Sequence, residues 1–252
     1  MGESTTASPS KGWQGAVLKL FGATDFTITV TGSEVVTDAY VRVFFTGGGL
    51  LEKTPVHPTM WVRLWFEADG SLHQRGYTLV DPDPASDSFA IEFAVHEGTA
   101  ARWAQHVTAG ETINATVMGS KFAYPDPAPA GWFLAGDAAS LAAINSLLDA
   151  ISASAAPEVP VTLWFEYQHP SDRDLPLRAR PGDTVHWIPR GNGSAVVDAV
   201  RAAATPSPDH HGWVALEAAA TRAVTSILKK DFSLGRKSVT SMAYWTEGKS
   251  AG

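Results

Sequence analysis

A change of hydrophobic pattern at the segment YPDPAPAG, residues 124–131, divides the chain into two parts. Three prolines in eight residues disfavour both a helix and a strand inside a ladder, so the segment predicts a boundary. Before it the chain shows only short alternating or apolar runs, and after it apolar runs alternate with stretches long enough for helices. The sequence therefore predicts two domains of different fold class.

The first part predicts an antiparallel β-barrel domain over residues 11–124. Its strand-like runs, separated by Gly, Asp, Ser and Pro, are GAVLKLFG, DFTITVTG, AYVRVFFTGG, TMWVRLWFEADG, SFAIEFAVHEG and TINATVMGSKF. Regularly spaced short strands with such turn residues are typical of an antiparallel barrel or sandwich. GTAARWAQHV interrupts them and predicts one short helix.

The second part predicts a small α/β domain over residues 130–252. The strand-like segments are GWFLAGD, PVTLWFEYQHP, DTVHWIPRG, HGWVALE and KSVTSMAYWTEG, and the helix-like segments are AASLAAINSLLDAISAS, SAVVDAVRAAA and AAATRAVTSILKKDF. Strands alternating with helices of this length predict a parallel sheet flanked by helices.

Composition and charge exclude several classes of function. The 252 residues are 44% hydrophobic and 18% charged, with a formal net charge of -7; this is typical of a soluble globular protein and lacks the basic excess that nucleic acid requires. Without cysteine there are no disulfides, thiol nucleophiles or cysteine-bound clusters, so redox chemistry would need a bound cofactor. Adjacent histidines in DHHG, residues 209–212, are expected to be solvated, and we predict no metal site.

The N-terminal residues show no export signal. MGESTTASPSKGW lacks a basic start, an apolar stretch and a cleavage site, and no apolar run is long enough to span a bilayer. MGESTT matches a loose acylation pattern that short sequences often match by chance. We expect a cytoplasmic monomer without stable membrane insertion.

The segment RGYTLVDPDP places an arginine, a phenol and a small hydroxyl where a strand gives way to a Pro/Asp loop. Arg75 could neutralise a phosphate and Tyr77 could cover a flat ring, with the Thr78 hydroxyl beside them. On a strand, Arg75 and Tyr77 point to one side and Thr78 to the other, unless the strand bends. These residues are candidates for holding a planar, phosphate-bearing cofactor.

The start of the predicted helix is a second feature that favours an anion. Gly98 and Thr99 stand there, where free amides and the helix dipole attract negative charge. The two features could meet at one pyrophosphate. Alternatively, Arg75 pairs with a surface carboxylate such as Asp81 or Asp83, Tyr77 only packs, and Thr99 only caps its helix.

The order of motifs along nearly the whole chain resembles that of the siderophore-interacting proteins, a flavin-binding branch of the ferredoxin reductase superfamily. That family shows Arg-x-Tyr-Thr, then a His/Gly-Pro-Ala-x-x-Trp-Ala helix start, Gly-Asp-Glu-Thr-Ala-Leu-Pro-Ala-Ile, Trp-x-x-Arg, Trp-Val-Ala-Gly-Glu and Tyr-Trp-Arg-x-Gly. This chain has RGYT, HEGTAARWA, GDAASLAAI, HWIPR, GWVALE and YWTEG in the same order.

The resemblance implies an FAD-binding barrel followed by a nicotinamide-domain-like α/β domain. By position, Arg75 would contact the FAD phosphates, Tyr77 would stack on the isoalloxazine, and Thr78 would hydrogen-bond near its reactive nitrogen. The remaining residues implied to cradle the pyrophosphate or to pack behind it are His96, Gly98, Thr99, Ala100 and Trp103.

Several functional positions depart from the family pattern. Val80 replaces a second arginine, Ala138 a glutamate and Ala142 a proline, while Leu216 stands where glycine is expected and Thr246 where arginine is expected. We expect the Leu216 side chain to obstruct a dinucleotide that approaches the backbone.

The resemblance implies an FAD-dependent reductase that passes electrons to a ferric siderophore and releases Fe(II). NADH, NADPH or a redox protein such as reduced ferredoxin would be the donor. Two alternatives stay open: a flavin-binding module that has lost nucleotide turnover, and a general flavin reductase. A shallow basic patch formed by Lys53, Lys121, Arg190 and Lys249 is predicted to bind the siderophore.

Overall fold

The computed structural model describes residues 23–68 and 70–248. The predicted strand GAVLKLFG, the acylation pattern and Lys249 lie outside these residues. None of the described helices is long and apolar enough to cross a membrane.

The first part of the described chain folds into a closed antiparallel barrel, as the strand pattern predicts. Its six strands are β1 (Thr24–Thr37), β2 (Tyr40–Thr46), β3 (Trp61–Ala68), β4 (Ser71–Asp83), β5 (Ser88–Ala94) and β6 (Thr112–Val117), in the order β1-β2-β5-β4-β3-β6. Alternate residues such as Ile28, Val43 and Ile91 point inward and are completely buried, because successive side chains of a strand point to opposite faces.

Two helices pack on the barrel. The predicted helix GTAARWAQHV is confirmed as α2 (Thr99–His106), which buries three alanines on one side. A four-residue helix, α1 (Leu50–Lys53), was not predicted. The Asp87 carboxylate fixes its start by accepting hydrogen bonds from the amides of Gly49 and Leu51, at 2.6 and 2.9 Å.

The second part forms a parallel sheet between helices, as the alternating pattern predicts. Its five strands are β7 (Trp132–Asp137), β8 (Val161–Tyr167), β9 (Thr184–Pro189), β10 (His211–Ala215) and β11 (Val239–Ser241), in the order β11-β10-β7-β8-β9. The helices are α3 (Leu141–Ser152), α4 (Ala195–Ala202) and α5 (Ala218–Lys230), with 3-10 turns at Ala138–Ser140, Pro170–Asp174 and Arg236–Ser238. One sheet face packs on α3, and the other packs on α4 and α5.

Direct contacts join the barrel to the sheet. The guanidinium of Arg178 pairs with Asp81 of the barrel at 2.7 Å and with Asp149 of α3 at 2.5 Å. Tyr40 of β2 is only 1% exposed and belongs to the core cluster that the sheet forms with α3. These contacts hold the barrel against the α/β domain.

Candidate functional site

β4 presents the RGYT residues on two different faces of the barrel wall. In its ladder with β3 the opposed pairs are Arg75 with Leu64, Tyr77 with Val62, and Thr78 with Trp61. Leu64 and Val62 are completely buried inside the barrel. Arg75 and Tyr77 therefore share the inner face, and Thr78 lies on the outer one, as strand alternation predicts.

Three basic side chains, Arg75, His96 and Arg102, lie near one another, and Arg75 is also near Tyr77. Burial raises the pKa of Tyr77 well above its ordinary value, and the nearby charge of Arg75 opposes this shift. Burial, and then the charges of Arg75 and Arg102, lower the pKa of His96. Within the described residues Arg75 has no carboxylate partner, and its Nη1 donates to the backbone oxygen of Gln74 at 2.7 Å. A cluster of donors without an acid to neutralise it suits an anionic ligand.

The alternative prediction for Arg75 is wrong, because both candidate acids have other partners. Asp81 pairs with Arg178 at 2.7 Å. Asp83 accepts a hydrogen bond from the Ser86 hydroxyl at 2.5 Å. The guanidinium of Arg75 is therefore not engaged by either acid.

The first turn of α2 lies beside these basic groups and has no side-chain cap. Its N-cap residue is Gly98, with φ -121° and ψ 157°, so Thr99 does not have the capping role that the alternative gave it. The His96 ring lies so close to Gly98 that a Cβ there would overlap it. The first amides of the helix, at Thr99 and Ala100, thus have no side-chain acceptor and favour an anion.

Trp103 fixes α2 to the barrel through a group of aromatic rings. Its ring centroid lies 5.5 Å from Phe66, 6.0 Å from Phe93 and 6.4 Å from Phe45. Tyr77 belongs to the same group, 4.5 Å from Phe93. This packing holds the RGYT strand and the start of α2 in one fixed arrangement.

On the outer face, opposite Thr78, a stack of Trp61 and Arg63 was missed by sequence reasoning. The Arg63 guanidinium lies 4.4 Å from the Trp61 ring centroid. Burial lowers the pKa of Arg63, and no carboxylate in the described part of the chain pairs with it. The Ser120 hydroxyl accepts a hydrogen bond from the Trp61 amide at 3.0 Å, and Lys121 is the next residue along the chain. The available signal was a lone cation within the apolar strand MWVRLWF.

The cations predicted to dock a substrate lie at separate places. Lys53 ends α1, with its ammonium 5.9 Å from the Phe26 ring centroid. Lys121 is exposed in the segment after β6. Of these two, only Lys121 is adjacent in sequence to a residue, Ser120, that contacts Trp61.

Arg190 lies instead at the carboxyl edge, the edge of the parallel sheet where its strands end. Its guanidinium pairs with Glu166 at 3.0 Å and Glu247 at 3.2 Å, and it covers the Trp245 ring at 4.4 Å. The Trp245 indole Nε1 donates to the Asp137 Oδ2 at 2.8 Å. Two acids therefore engage the guanidinium of Arg190, and it is not free to join a docking patch.

The two histidines of DHHG pack on aromatic rings. The expectation that they are solvated is therefore only partly met. His210 stacks on Phe133 at 4.8 Å, and His211 meets the edge of Trp132 at 5.5 Å. Burial lowers the pKa of both. Among residues 23–68 and 70–248, no group of three or more acidic, histidine or cysteine side chains could hold a metal ion.

A closed antiparallel barrel followed by a five-stranded parallel sheet places the chain in the ferredoxin reductase-like class of folds. Residues 23–119 match the siderophore-interacting FAD-binding domain, and residues 129–248 match the siderophore-interacting protein model. The chain belongs to the siderophore-interacting protein family, which confirms the resemblance seen in its motifs.

The curated relatives are longer proteins. The mycobactin import ATP-binding/permease protein IrtA of Mycolicibacterium thermoresistibile is 34% identical over 252 residues, covering 96% of this chain and 27% of the relative. Its counterpart in Mycobacterium tuberculosis is 32% identical over 250 residues, covering 96% and 28%. The chain thus spans little more than a quarter of these proteins.

Solved structures share the fold over almost the whole chain. The siderophore-interacting protein of Acinetobacter baumannii aligns with a TM-score of 0.77 and 18% identity, over 91% of this chain and 92% of that one. A siderophore utilization protein from T. fusca aligns with a TM-score of 0.77 and 21% identity, over 91% and 95%. A ferredoxin NADP+ reductase from Neisseria gonorrhoeae, with bound FAD and NADP, aligns with a TM-score of 0.64 and 12% identity, over 88% and 99%.

One departure from the family pattern acts differently from our expectation. Leu216 has no exposed surface and packs in the core beneath α5 with Val214 and Val224. Its side chain therefore fills the interior, and the expectation that it obstructs an approaching dinucleotide is wrong.

Proposed function

We propose that this chain is an FAD-dependent reductase that passes electrons to ferric iron in a siderophore and releases Fe(II). The observation that carries the proposal is the meeting of Arg75, His96 and Arg102 with the uncapped first turn of α2. Two negative charges on a pyrophosphate would find both cationic side chains and free amides there.

The residues present fit FAD at this place. Arg75 and His96, with the amides of Thr99 and Ala100, would hold the pyrophosphate. Because Gly98 has no side chain, the backbone could approach the phosphates closely. By the family motif Tyr77 would face the isoalloxazine and Thr78 would hydrogen-bond near its reactive nitrogen. Because the two side chains point to opposite faces of β4, the isoalloxazine would meet both only by reaching past the edge of the strand. FAD supplies the chemistry when bound, because it accepts an electron pair and can release electrons singly.

Gly98→Ala should weaken FAD binding by about tenfold, or about 1.4 kcal/mol, while changing stability little. The new Cβ would overlap the His96 ring, and that exposed ring can move away from the phosphate site without disturbing the core. Flavin fluorescence titration of the apoprotein measures the affinity, and urea unfolding measures the stability. Gly32→Ala, at a glycine of β1 with open space around it and no positive φ, is the control for flavin affinity. Unchanged affinity in Gly98→Ala would remove Gly98 and His96 from the site.

We propose that the ferric siderophore binds on the outer face of the barrel beside Thr78. Arg63 stacks on Trp61 there, and Lys121 is the neighbour of Ser120, which binds the Trp61 amide. Arg63 has a guanidinium free of carboxylates and stacked on an aromatic ring, which suits the oxygen-rich rim of a ferric chelate. Ferric mycobactin is the first substrate to test, because the IrtA relatives are mycobactin import proteins. Lys53 and Lys249 remain predictions.

Arg63→Glu should raise the apparent Kd for an anionic ferric siderophore by about tenfold, because an attractive charge becomes repulsive. Arg222→Glu, a matched reversal on the exposed side of α5, should leave this Kd unchanged. Quenching of tryptophan fluorescence by a ferric tricatecholate gives both values. Equal Kd values for the two variants would place the siderophore elsewhere.

The electron donor is tested by anaerobic titration of the flavoprotein with NADH, NADPH and reduced ferredoxin. Bleaching of the flavin absorbance by either nucleotide supports a reductase that binds a nucleotide. A flavin that ignores both, yet is reduced by ferredoxin, supports a protein donor. If none of the three reduces it, the alternative of a flavin-binding module gains support over the enzyme.

One observation favours that second candidate, the module without nucleotide turnover. At the carboxyl edge, where dinucleotides bind in α/β folds, the Glu217 carboxylate already accepts from the amides of Ala219 and Ala220, at 2.5 and 3.3 Å. Asp137 likewise caps the turn that follows β7. The chain's own acids thus take positions at which a pyrophosphate would be held. In a general flavin reductase, the third possibility, a nucleotide would bleach the flavin absorbance, and the protein would not prefer siderophores over other electron acceptors.

A further inference from the structure

Two carboxylates lie side by side at the carboxyl edge. Asp137 ends β7 and Glu166 lies near the end of β8, and the two residues are directly paired in the parallel ladder. They are only 7% and 3% exposed. Because paired residues of neighbouring strands point to the same face, the two carboxyl groups share one buried environment.

The pair is incompletely compensated. Arg190 binds Oε2 of Glu166 at 3.0 Å, and Trp245 donates to Asp137 Oδ2 at 2.8 Å. The second oxygen of Glu166, Oε1, is buried and has no hydrogen-bond partner. A buried, unpartnered carboxylate oxygen is unfavourable, and binding a proton removes its charge.

The surroundings raise the pKa of both groups toward neutral pH. Burial raises the pKa of Glu166 to about 7; Arg190 opposes this, and the charges of Asp137 and Glu217 add to it. Burial likewise raises the pKa of Asp137 to about 6, against hydrogen bonds from Trp245 and the following turn and the charge of Arg190. The titratable and charged groups facing the pair are Tyr40 from β2, Arg190 after β9, Glu217 after β10, and Tyr244 from the C-terminal segment.

The C-terminal segment, residues 242–248, connects this pair to the outer face of β4. Its backbone runs beside β10, with the Tyr244 amide donating to the Leu216 carbonyl at 3.0 Å. Burial raises the pKa of Tyr244 to about 12, the nearby Thr78 side chain opposes this rise, and the charge of Asp137 adds to it. Asp137 therefore anchors Trp245 while the adjacent Tyr244 meets Thr78.

We propose that Asp137 and Glu166 form a proton-binding pair that makes the reduction potential of the flavin at Thr78 depend on pH. This inference rests on the proposed function, since it requires FAD beside Thr78. Reduction adds negative charge there, which nearby carboxylates oppose and protonated carboxyls do not. By reciprocity, electrons entering the site from the donor strengthen proton binding, and the pair takes its proton from solvent. Asp137 and Glu166 are positioning residues that act through Tyr244 and Thr78.

The test is the midpoint potential of the bound flavin measured by spectroelectrochemistry between about pH 5 and pH 9, a range that spans ordinary and raised carboxyl pKa values. As pH rises and the pair ionises, the wild-type potential should fall more steeply than that of Asp137→Asn, whose amide stays neutral. The variant should also have the higher potential at the alkaline end. Glu166→Gln should behave like Asp137→Asn, and it replaces that variant in the test if Asp137→Asn does not fold. The matched control is Asp149→Asn, an exposed acid on α3 that pairs with Arg178, which should follow the wild type.

Superimposed curves for the wild type, Asp137→Asn and Glu166→Gln, all with full flavin, would overturn the inference and leave the proposed function standing. A wild-type protein that takes up no FAD would instead refute the proposed function. Carboxyl carbon-13 NMR of the protein without flavin gives an independent reading. There, titration of Asp137 and Glu166 at ordinary carboxyl pH values would also overturn the proton-binding pair.

Discussion

Replacing Arg75 and Tyr77 together with alanine should yield a protein that purifies with little or no FAD. The double variant removes a guanidinium that has no carboxylate partner in the described residues and a ring packed 4.5 Å from Phe93. A charge-assisted phosphate contact contributes about 1.5–3 kcal/mol and an aromatic contact about 0.5–1.5 kcal/mol, so affinity should fall by about 100-fold. The ratio of flavin to protein absorbance in the purified protein measures the loss.

Two comparisons separate loss of binding from loss of fold. Arg222→Ala, an exposed arginine on α5, should keep full flavin content. Tyr77→Phe keeps the ring and should retain most of it. A double variant that is folded and carries as much FAD as the wild type would show that the flavin is not held by the RGYT strand.

Trp103→Ala should lower the free energy of unfolding by about 3 kcal/mol and weaken FAD binding as well. The indole is surrounded by Phe45, Phe66 and Phe93, at centroid distances of 5.5 to 6.4 Å. Truncation leaves a cavity between α2 and the barrel, so the first amides of α2, which we propose to hold the pyrophosphate, lose their support. Urea unfolding followed by circular dichroism gives the free energy, and flavin titration gives the affinity.

Trp61→Ala is the matched control for this loss, because it also removes an indole from the barrel. Trp61 lies on the outer face with Arg63 stacked on it, so its truncation opens a surface and leaves no enclosed cavity. We expect a cost of about 1 kcal/mol. Equal costs for the two variants would mean that Trp103 does not fix α2 to the barrel.

The pattern of apolar residues predicted most of the fold, because strands and helices here bury one face each. Alternation along DFTITVTG and SFAIEFAV became β1 and β5, and the helical stretches after the proline-rich segment became α3, α4 and α5. α1 escaped prediction because its four residues carry no periodicity. It depends on Asp87, whose carboxylate binds the amides of Gly49 and Leu51 from 38 and 36 residues away.

The candidate site was predictable where its residues are close in sequence. Strand alternation placed Arg75 and Tyr77 on one face, and the helix-start pattern placed Gly98 and Thr99 at the beginning of α2. Anion binding there stays a prediction. Distant pairing was not predictable. Arg190 was assigned to docking because the sequence does not reveal its partners. Glu166 and Glu247 are 24 and 57 residues away along the chain.

Arg63 was overlooked for a similar reason. Its position beside Thr78 follows from the register of β3 against β4, and its freedom from acids follows from the three-dimensional surroundings. A single cation in an apolar strand does not reveal either property. The structure was needed to show that a charge and an aromatic ring lie on the outer face of the barrel.

The most direct test of electron transfer to a ferric siderophore bypasses the unknown donor. The bound FAD is reduced photochemically without oxygen, a ferric siderophore is added, and flavin absorbance is followed while a ferrous chelator captures Fe(II). We predict that the flavin absorbance returns as Fe(II) appears, and that Arg63→Glu slows the reaction. A flavin that stays bound and reduced in the presence of excess ferric siderophore, with no Fe(II) formed, would contradict the account.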